Sequence, residues 1–203
     1  QNDDPQGASK PFSRTRDGFV MAEGSATLVL ESYESAKARG AKILGVVRGT
    51  GERADTFHRT RSKPDGSAII DTINRSLADA GMSPDEIDYI NAHGTSTPEN
   101  DKMEFLALSE SLGSALDGIP ISSNKSMIGH TLSAAGTIEA AISLMTIEAG
   151  VIPPTINCHE QDPNILMDVV PNVKREHTVN SVMSNSFGFG GQNVCLIFSG
   201  EPD

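Results

Sequence analysis

The chain has 203 residues, 37% of them hydrophobic and 4% aromatic, with no tryptophan. That is enough for one well-buried domain or for half of a larger one. A formal net charge of −11 at pH 7 excludes sequence-independent nucleic-acid binding, which needs a basic face.

No apolar run approaches the roughly 20 residues that span a bilayer, and no charged-then-apolar leader opens the chain. A cytoplasmic or organellar-matrix protein with no membrane contact is therefore expected. The first residues are Gln-Asn-Asp-Asp rather than Met, so the chain is expected to begin inside a longer polypeptide. Cys158 lies in a loop-like stretch and Cys195 in an apolar, strand-like one. Their spacing fits neither a zinc motif nor a disulfide framework, and both read as structural thiols of a reducing compartment.

Residues 1–16 are polar and irregular, with Pro5 and Pro11. Phe19 to Ser32 reads as two strand-like runs broken at Glu23-Gly24. A short helix from Ser32 to Arg39 stops at Gly40, and Ile43 to Arg48 suits a strand. Gly49 to Pro64 is charged and aperiodic, which predicts a long surface loop. Ser67 to Ala80 sets Ile69, Ile73, Leu77 and Ala80 on one helical face and ends at Gly81. A capped turn at Ser83-Pro84-Asp85-Glu86 leads into a strand, Ile87 to Ala92. Pro98, capped by Thr97, opens a helix to about Ser111. Ile119 to Ser123 is a short strand, and Ser126 to Ala149 carries one long helical pattern rich in Gly and Ala, expected to be a buried central helix. A proline-rich connector, Val151 to Asn157, precedes two final strands, Asn180–Asn185 and Asn193–Phe198. Alternating strands and helices predict an α/β layer structure with a mainly parallel sheet.

His93 falls at the carboxyl end of a strand, just before a helix, where open α/β sheets place ligands. It reads either as a functional imidazole or as a satisfied structural one. His130 is expected in the first turn of the long helix, where the helix dipole keeps an imidazole neutral. A neutral imidazole that aims its N–H at a carbonyl can stabilise an enolate. Lys125 stands in a stretch otherwise without charge, so it either reaches solvent or finds a carboxylate. Asp101 and Glu104, i and i+3 on one helix face, and Glu139 are its candidate partners; otherwise Asp101 and Glu104 face solvent. A metal reading that adds His159 or Asp162 has no supporting spacing. The turn Gly188-Phe189-Gly190-Gly191 matches no dinucleotide or phosphate loop. It is either a tight turn between strands or an exposed N–H donor beside a bulky ring.

The stretches Asn91-Ala92-His93-Gly94-Thr95-Ser96-Thr97-Pro98, Asn124-Lys125-Ser126-Met127-Ile128-Gly129-His130 and Asn185-Ser186-Phe187-Gly188-Phe189-Gly190-Gly191 occur in the order and spacing of one family. From about Asn2 to Phe198 the chain resembles the C-terminal half of a β-ketoacyl-[acyl-carrier-protein] synthase of the elongating, type II kind. Arg16-Asp17-Gly18-Phe19 and Glu23-Gly24 resemble the family too, in a structural role. The resemblance implies a thiolase-like fold: residues 1–203 form one half, a mixed sheet with helices on both faces, and the full enzyme stacks five α-β-α-β-α layers. It implies decarboxylative Claisen condensation of an acyl-thioester with malonyl-thioester, without cofactor or metal. His93 and His130 would then hold the thioester carbonyl, with Lys125 beside them and Asp101, Glu104 and Glu139 as its charge partners. Thr95, Thr97 and Phe187 would contact the substrate arm, and Phe189 would give an oxyanion N–H and a gate.

The family's nucleophilic cysteine lies in the other half, and neither Cys158 nor Cys195 has its context. The chain alone is therefore expected to be inactive. Implied partners are an acyl carrier protein, the N-terminal half and, in the full enzyme, a second copy of itself. Carrier proteins are acidic, and Arg53, Arg59, Arg61 and Lys63 form a short basic stretch, either a docking patch or a solvated loop. The motifs barely separate this reading from a polyketide ketosynthase or a mitochondrial homologue; a non-catalytic subunit resembling a chain-length factor is the other alternative, and the intact His93 and His130 motifs weigh against it.

Overall fold

A computed structural model describes residues 1–201 of the chain. In chain order its first elements are α1 (Tyr33–Ala38), β1 (Val46–Ala54), α2 (Ser67–Ala80), β2 (Tyr89–Asn91) and α3 (Pro98–Leu112). They are followed by β3 (Ile121–Ser122), α4 (Lys125–Ile128), α5 (Ala135–Ala149), β4 (Val151–Ile152), β5 (Arg175–Glu176), β6 (Ser181–Phe187) and β7 (Gln192–Ser199). Five strands form one mixed sheet in the order β1-β7-β6-β2-β3. The β1–β7 and β7–β6 pairs are antiparallel, whereas β6–β2 and β2–β3 are parallel. β4 and β5 make a separate small ribbon.

The strand period of two sorts the core into two faces. Ile90 and Met183 point into a large apolar cluster with Ile69, Ile73 and Leu77 of α2 and Leu108 of α3. Tyr89 and Val182, their neighbours along the strands, point the other way and pack with Ile152 and the inner side of α5 at Ile147. The mixed sheet with helices on both faces that the resemblance implies is thus present, whereas the mainly parallel sheet expected from the alternation is not, because β7 returns by a tight turn to pair antiparallel with both β6 and β1.

Four further expectations need correction. Phe19–Ser32 forms no ladder beyond a bridge from Met21 to His130. The segment has no regular secondary structure and leaves Met21, Val29 and Leu30 exposed, because no strand among the described residues lies beside it. The predicted loop after Arg48 begins as strand instead: β1 continues to Ala54. Gly49 and Gly51, which read as loop residues, let β1 lie against α2; a Cβ on Gly51 would stand 2.0 Å from the Thr72 carbonyl oxygen. The long helix is broken at Gly129, which adopts φ 71°, a left-handed value that ends α4 before a new start at α5. Finally, Leu132–Ala149 is long and apolar enough by length and composition to cross a membrane. Its α5 portion instead packs on the sheet and places Glu139 in a buried ion pair.

Candidate active site

Where β2 ends, Ala92 is still bonded to β3 through its N–H, and His93 is the first residue off the sheet. Its direction is set by Glu104 of α3. One Glu104 oxygen accepts the His93 N–H at 2.9 Å and the other accepts the Gly94 N–H at 2.8 Å. Burial pushes this carboxyl above its ordinary range, against the pull of those two backbone donors. Gly94 is needed for closeness, since a Cβ there would meet the Ser123 Cβ at 2.5 Å. Thr97 caps α3 by accepting the Asn100 N–H at 3.1 Å and shares a hydrogen bond of 2.9 Å with the Thr95 hydroxyl.

Lys125, only 2% exposed, begins α4 and points across to α5. Its ammonium forms a short ion pair with Glu139 and lies 3.4 Å from His93 Nδ1. Burial raises the Glu139 carboxyl, while the Lys125 charge opposes that rise. A buried ammonium must be compensated, so Lys125 and Glu139 hold each other in place. An amide chain ties the same region to the sheet. Asn124 donates to the Asn91 side-chain oxygen at 2.9 Å, and Asn91 donates to the Glu139 carbonyl at 2.9 Å and the Ser143 hydroxyl at 3.0 Å.

His130 follows the break in the helix, its backbone N–H bonded to the Val20 carbonyl at 2.7 Å. The two imidazoles meet edge to face, with ring centroids 5.4 Å apart at 86°. Burial, then the charge of Lys125, holds His93 well below the ordinary histidine range. Burial and the Lys125 charge hold His130 at about 4. Both rings are neutral at physiological pH, as expected for His130, though desolvation rather than a helix dipole is the main cause.

Their tautomers follow from their neighbours. An ammonium only donates, so Lys125 makes His93 Nδ1 the acceptor and leaves the proton on Nε2. His130 Nδ1 accepts the Leu132 N–H at 3.1 Å, which again leaves an Nε2–H. The pair therefore presents two N–H donors and no net charge.

The third motif closes the site. Phe187 ends β6 with its ring 5.7 Å from that of His93. Phe19 lies 5.4 Å from His130 and 6.3 Å from Phe189, centroid to centroid. Phe189 itself is 60% exposed on the turn before β7. Gly188 and Gly190 donate their N–H groups to Gln192 and Arg59, but among the described residues the Phe189 N–H has no acceptor.

Of the three carboxylates expected around Lys125, only Glu139 touches it. Glu104 acts on the backbone of His93 and Gly94. Asp101 faces the N-terminal arm: it accepts the Phe12 N–H at 2.8 Å and the Ser96 N–H at 3.2 Å, and lies 3.7 Å from the Arg16 guanidinium. Burial lifts its carboxyl to about 6. Arg16 also pairs with Asp162 at 2.7 Å. Sequence reasoning did not find this Arg16 network, because its partners lie 85 and 146 positions away along the chain and no local pattern announces them. Ser123, whose hydroxyl donates to the Gly94 carbonyl at 2.6 Å, was missed for the same reason.

Cys195 is fully buried, bonded by the Ser76 hydroxyl, and its thiol is pushed up to about 12. Cys158 is buried and pushed up to about 11. Neither is a thiolate near neutral pH. Among the described residues no group of three or more His, Cys, Asp or Glu side chains is arranged to hold a metal.

Residues 44–159 match the family model described as "Beta-ketoacyl synthase, C-terminal domain". A 3-oxoacyl-[acyl-carrier-protein] synthase 2 of Synechocystis sp. is 49% identical over 98% of this chain and 48% of its own length. The tetracenomycin polyketide synthase ketoacyl synthase alpha subunit of Streptomyces glaucescens is 50% identical over 94% of this chain and 45% of its own. Among solved structures, a ketosynthase in complex with its type II polyketide acyl-carrier protein superposes with a TM-score of 0.94. It shares 41% identity over 97% of this chain and 48% of that one. The chain thus spans about half the length of the relatives it matches.

Proposed function

The chain belongs to the β-ketoacyl synthase family, with the thiolase-like fold of its structural neighbours, and from that premise we propose that it forms the enolate-stabilising half of a condensing enzyme. The reaction joins an acyl-thioester to a malonyl-thioester, both delivered by an acyl carrier protein. The observation that carries this reading is the pair of neutral imidazoles, each with its proton on Nε2, over a buried Lys125–Glu139 ion pair.

The chemistry follows from those donors. When the malonyl group loses carbon dioxide, the C–C bonding pair passes into the thioester and leaves negative charge on its oxygen. Two Nε2–H groups directed at that oxygen stabilise the charge without giving up a proton, because a neutral imidazole is a weak acid. The enolate carbon then attacks the acyl carbonyl held on a cysteine of the other half. The oxyanion formed there meets the unused Phe189 N–H, and collapse expels the cysteine thiolate. Lys125 acts through His93, fixing its tautomer and helping to keep it neutral. Thr95 and Thr97 present hydroxyls to the pantetheine arm, Phe187 flanks the site, and the Phe189 ring covers its mouth.

The nucleophile belongs to the N-terminal half, so this chain alone is inactive. Exposed Val29, Leu30, Met127, Ile128, Leu132 and Met145 form the apolar surface on which that half packs, and the assembled enzyme works as a homodimer in cytoplasm or organellar matrix. Fatty-acid elongation is the reading we favour. A polyketide role is the second reading, supported by a relative named as a polyketide synthase subunit that matches at 50% identity, beside the 49% of a 3-oxoacyl-[acyl-carrier-protein] synthase 2.

The test is product formation by the complete enzyme and by its His93→Ala and His130→Ala variants, followed by mass spectrometry. Loss of one oxyanion donor is expected to lower kcat about 10²–10³-fold. A variant that keeps its full kcat removes that histidine from the mechanism.

A further inference from the structure

Arg16 takes no part in the chemistry proposed above, yet its side chain is only 7% exposed. It joins three segments. Its Nη1 donates to the Ser13 carbonyl at 3.0 Å and to Asp162 at 2.7 Å, and its Nη2 reaches the Pro98 carbonyl at 3.5 Å. Its Nε, buried with no hydrogen-bond partner among the described residues, stands 3.7 Å from Asp101. A buried guanidinium is costly unless carboxylates compensate it, so Arg16, Asp101 and Asp162 fix one another.

The two acids in turn hold backbone. Asp101 accepts the Phe12 and Ser96 N–H groups, and Asp162 donates its own N–H to the Phe12 carbonyl at 2.9 Å. Phe12 (φ 62°) and Ser96 (φ 70°) are both left-handed. Residues with a Cβ keep that conformation only where their surroundings over-determine it. Ser96 meets this condition: besides its bond to Asp101, its hydroxyl accepts the Lys10 N–H and its carbonyl the Gly18 N–H, each at 3.0 Å. Both residues are fully buried. Ser96 lies between Thr95 and Thr97, whose hydroxyls meet at 2.9 Å. The direction of those hydroxyls therefore depends on the turn at Ser96 and, through Asp101, on Arg16.

We infer that Arg16 is a positioning residue for the substrate arm: through Asp101 it sets the turn at Ser96 and so aims the Thr95 and Thr97 hydroxyls at the pantetheine. The identity of that arm rests on the condensing reading above. Arg16 itself bonds to neither histidine among the described residues, so its effect falls on capture of the arm rather than on enolate formation. A lysine keeps the charge but not the planar fork, and one ammonium cannot serve two carbonyls and two carboxylates at once.

The test uses the complete enzyme, with this chain joined to its nucleophile-bearing half, and the variants Arg16→Met and Arg16→Lys. Two readouts are taken: KM and kcat for malonyl-pantetheine, and amide hydrogen exchange of the peptide spanning residues 94–98, with a peptide from α2 as the reference. Arg16→Met is expected to raise KM about tenfold and to speed exchange of the 94–98 amides by a similar factor. Its kcat per folded enzyme and the exchange of α2 stay within about twofold. Arg16→Lys is expected to raise KM about threefold, and it decides the matter if Arg16→Met does not fold. A KM within about 1.5-fold of the parent in the folded variants, or a fall in kcat at unchanged KM, reduces Arg16 to a structural residue and overturns the inference. A parent enzyme that condenses nothing overturns the condensing reading instead. Exchange then decides alone: faster 94–98 amides in the variants keep Arg16 as the holder of this turn, and unchanged ones overturn it.

Discussion

The two faces of the sheet solve different problems. Under α2 and α3 the core is a closed apolar cluster in which Ile69, Ile73 and Leu108 are at most 1% exposed. Under α5 the apolar cluster is small, and a polar chain from Asn91 and Asn124 to Glu139 and Lys125 occupies the interior. The outer side of α5 and its flanks leave large side chains uncovered, Met145 at 64% and Met21 at 70% exposure. The first face holds the chain together; the second carries the buried polar chain and, on the proposed reading, the chemistry and the surface that the other half covers. Buried charge is placed where it serves the site, at Lys125 and Glu139 on the second face and at Asp101 and Glu104 in the first turns of α3, and its cost is offset by the apolar burial of the first face.

The largest effect should come from breaking the ion pair on the second face. Lys125→Met leaves Glu139 buried without a cation and is expected to cost about 3–5 kcal/mol in denaturant unfolding, together with nearly all activity. Adding Glu139→Gln should recover part of the stability and none of the activity. If Lys125→Met is as stable as the parent, the pair does not anchor this face.

On the first face, Ile73→Ala should cost about 3 kcal/mol through the cavity it leaves. Its kcat in the complete enzyme should stay near the parent value, separating packing from chemistry.

A smaller effect concerns pH. The His130 imidazole titrates at about 4 in the folded chain, against about 6.5 when unfolded. The unfolded chain therefore takes up the proton first. This contribution to stability is present above pH 6.5 and is lost as pH falls toward 4. Unfolding free energies of the parent minus those of His130→Gln should fall across that window, whereas a flat difference would place His130 in solvent. The raised carboxyls of Asp101, Glu104 and Glu139 work in the opposite sense, which is why the difference, not the parent curve, is diagnostic.

The smallest effect sharpens the comparison most. Met145→Ser should change the stability of the isolated chain by less than about 0.5 kcal/mol, as an exposed position does. In the complete enzyme the same change should cost about 1–2 kcal/mol if the second half covers Met145. Equal effects in both forms would leave the α5 face bare.

The first face was the more legible in sequence. α2 announces itself by Ile69, Ile73 and Leu77 and by Gly81, and α3 by the Thr97 cap and Pro98; both were read to within a residue. These signals are local, so the sequence contains all of them. The failures fall where the structure depends on something distant. Phe19–Ser32 has a strand's pattern but no neighbouring strand among the described residues. Gly49 and Gly51 look like loop residues until α2 lies on them. The break at Gly129 was hidden in a run of small residues whose helical pattern continues on both sides. In the site, His93, His130, Lys125 and Glu139 were legible through motif resemblance, and the structure brings them together. The task of Glu104, two backbone hydrogen bonds, and the pairing of Asp101 with Arg16 needed coordinates, since a carboxylate on a helix face does not declare its donor.

The most direct test of the central claim is to join this chain to the nucleophile-bearing half of a relative and measure condensation of acyl- and malonyl-carrier thioesters by product mass. The expected result is a β-ketoacyl product from the joined halves and none from either half alone. Turnover by this chain in isolation, or none from correctly assembled halves with an intact cysteine, would contradict the account.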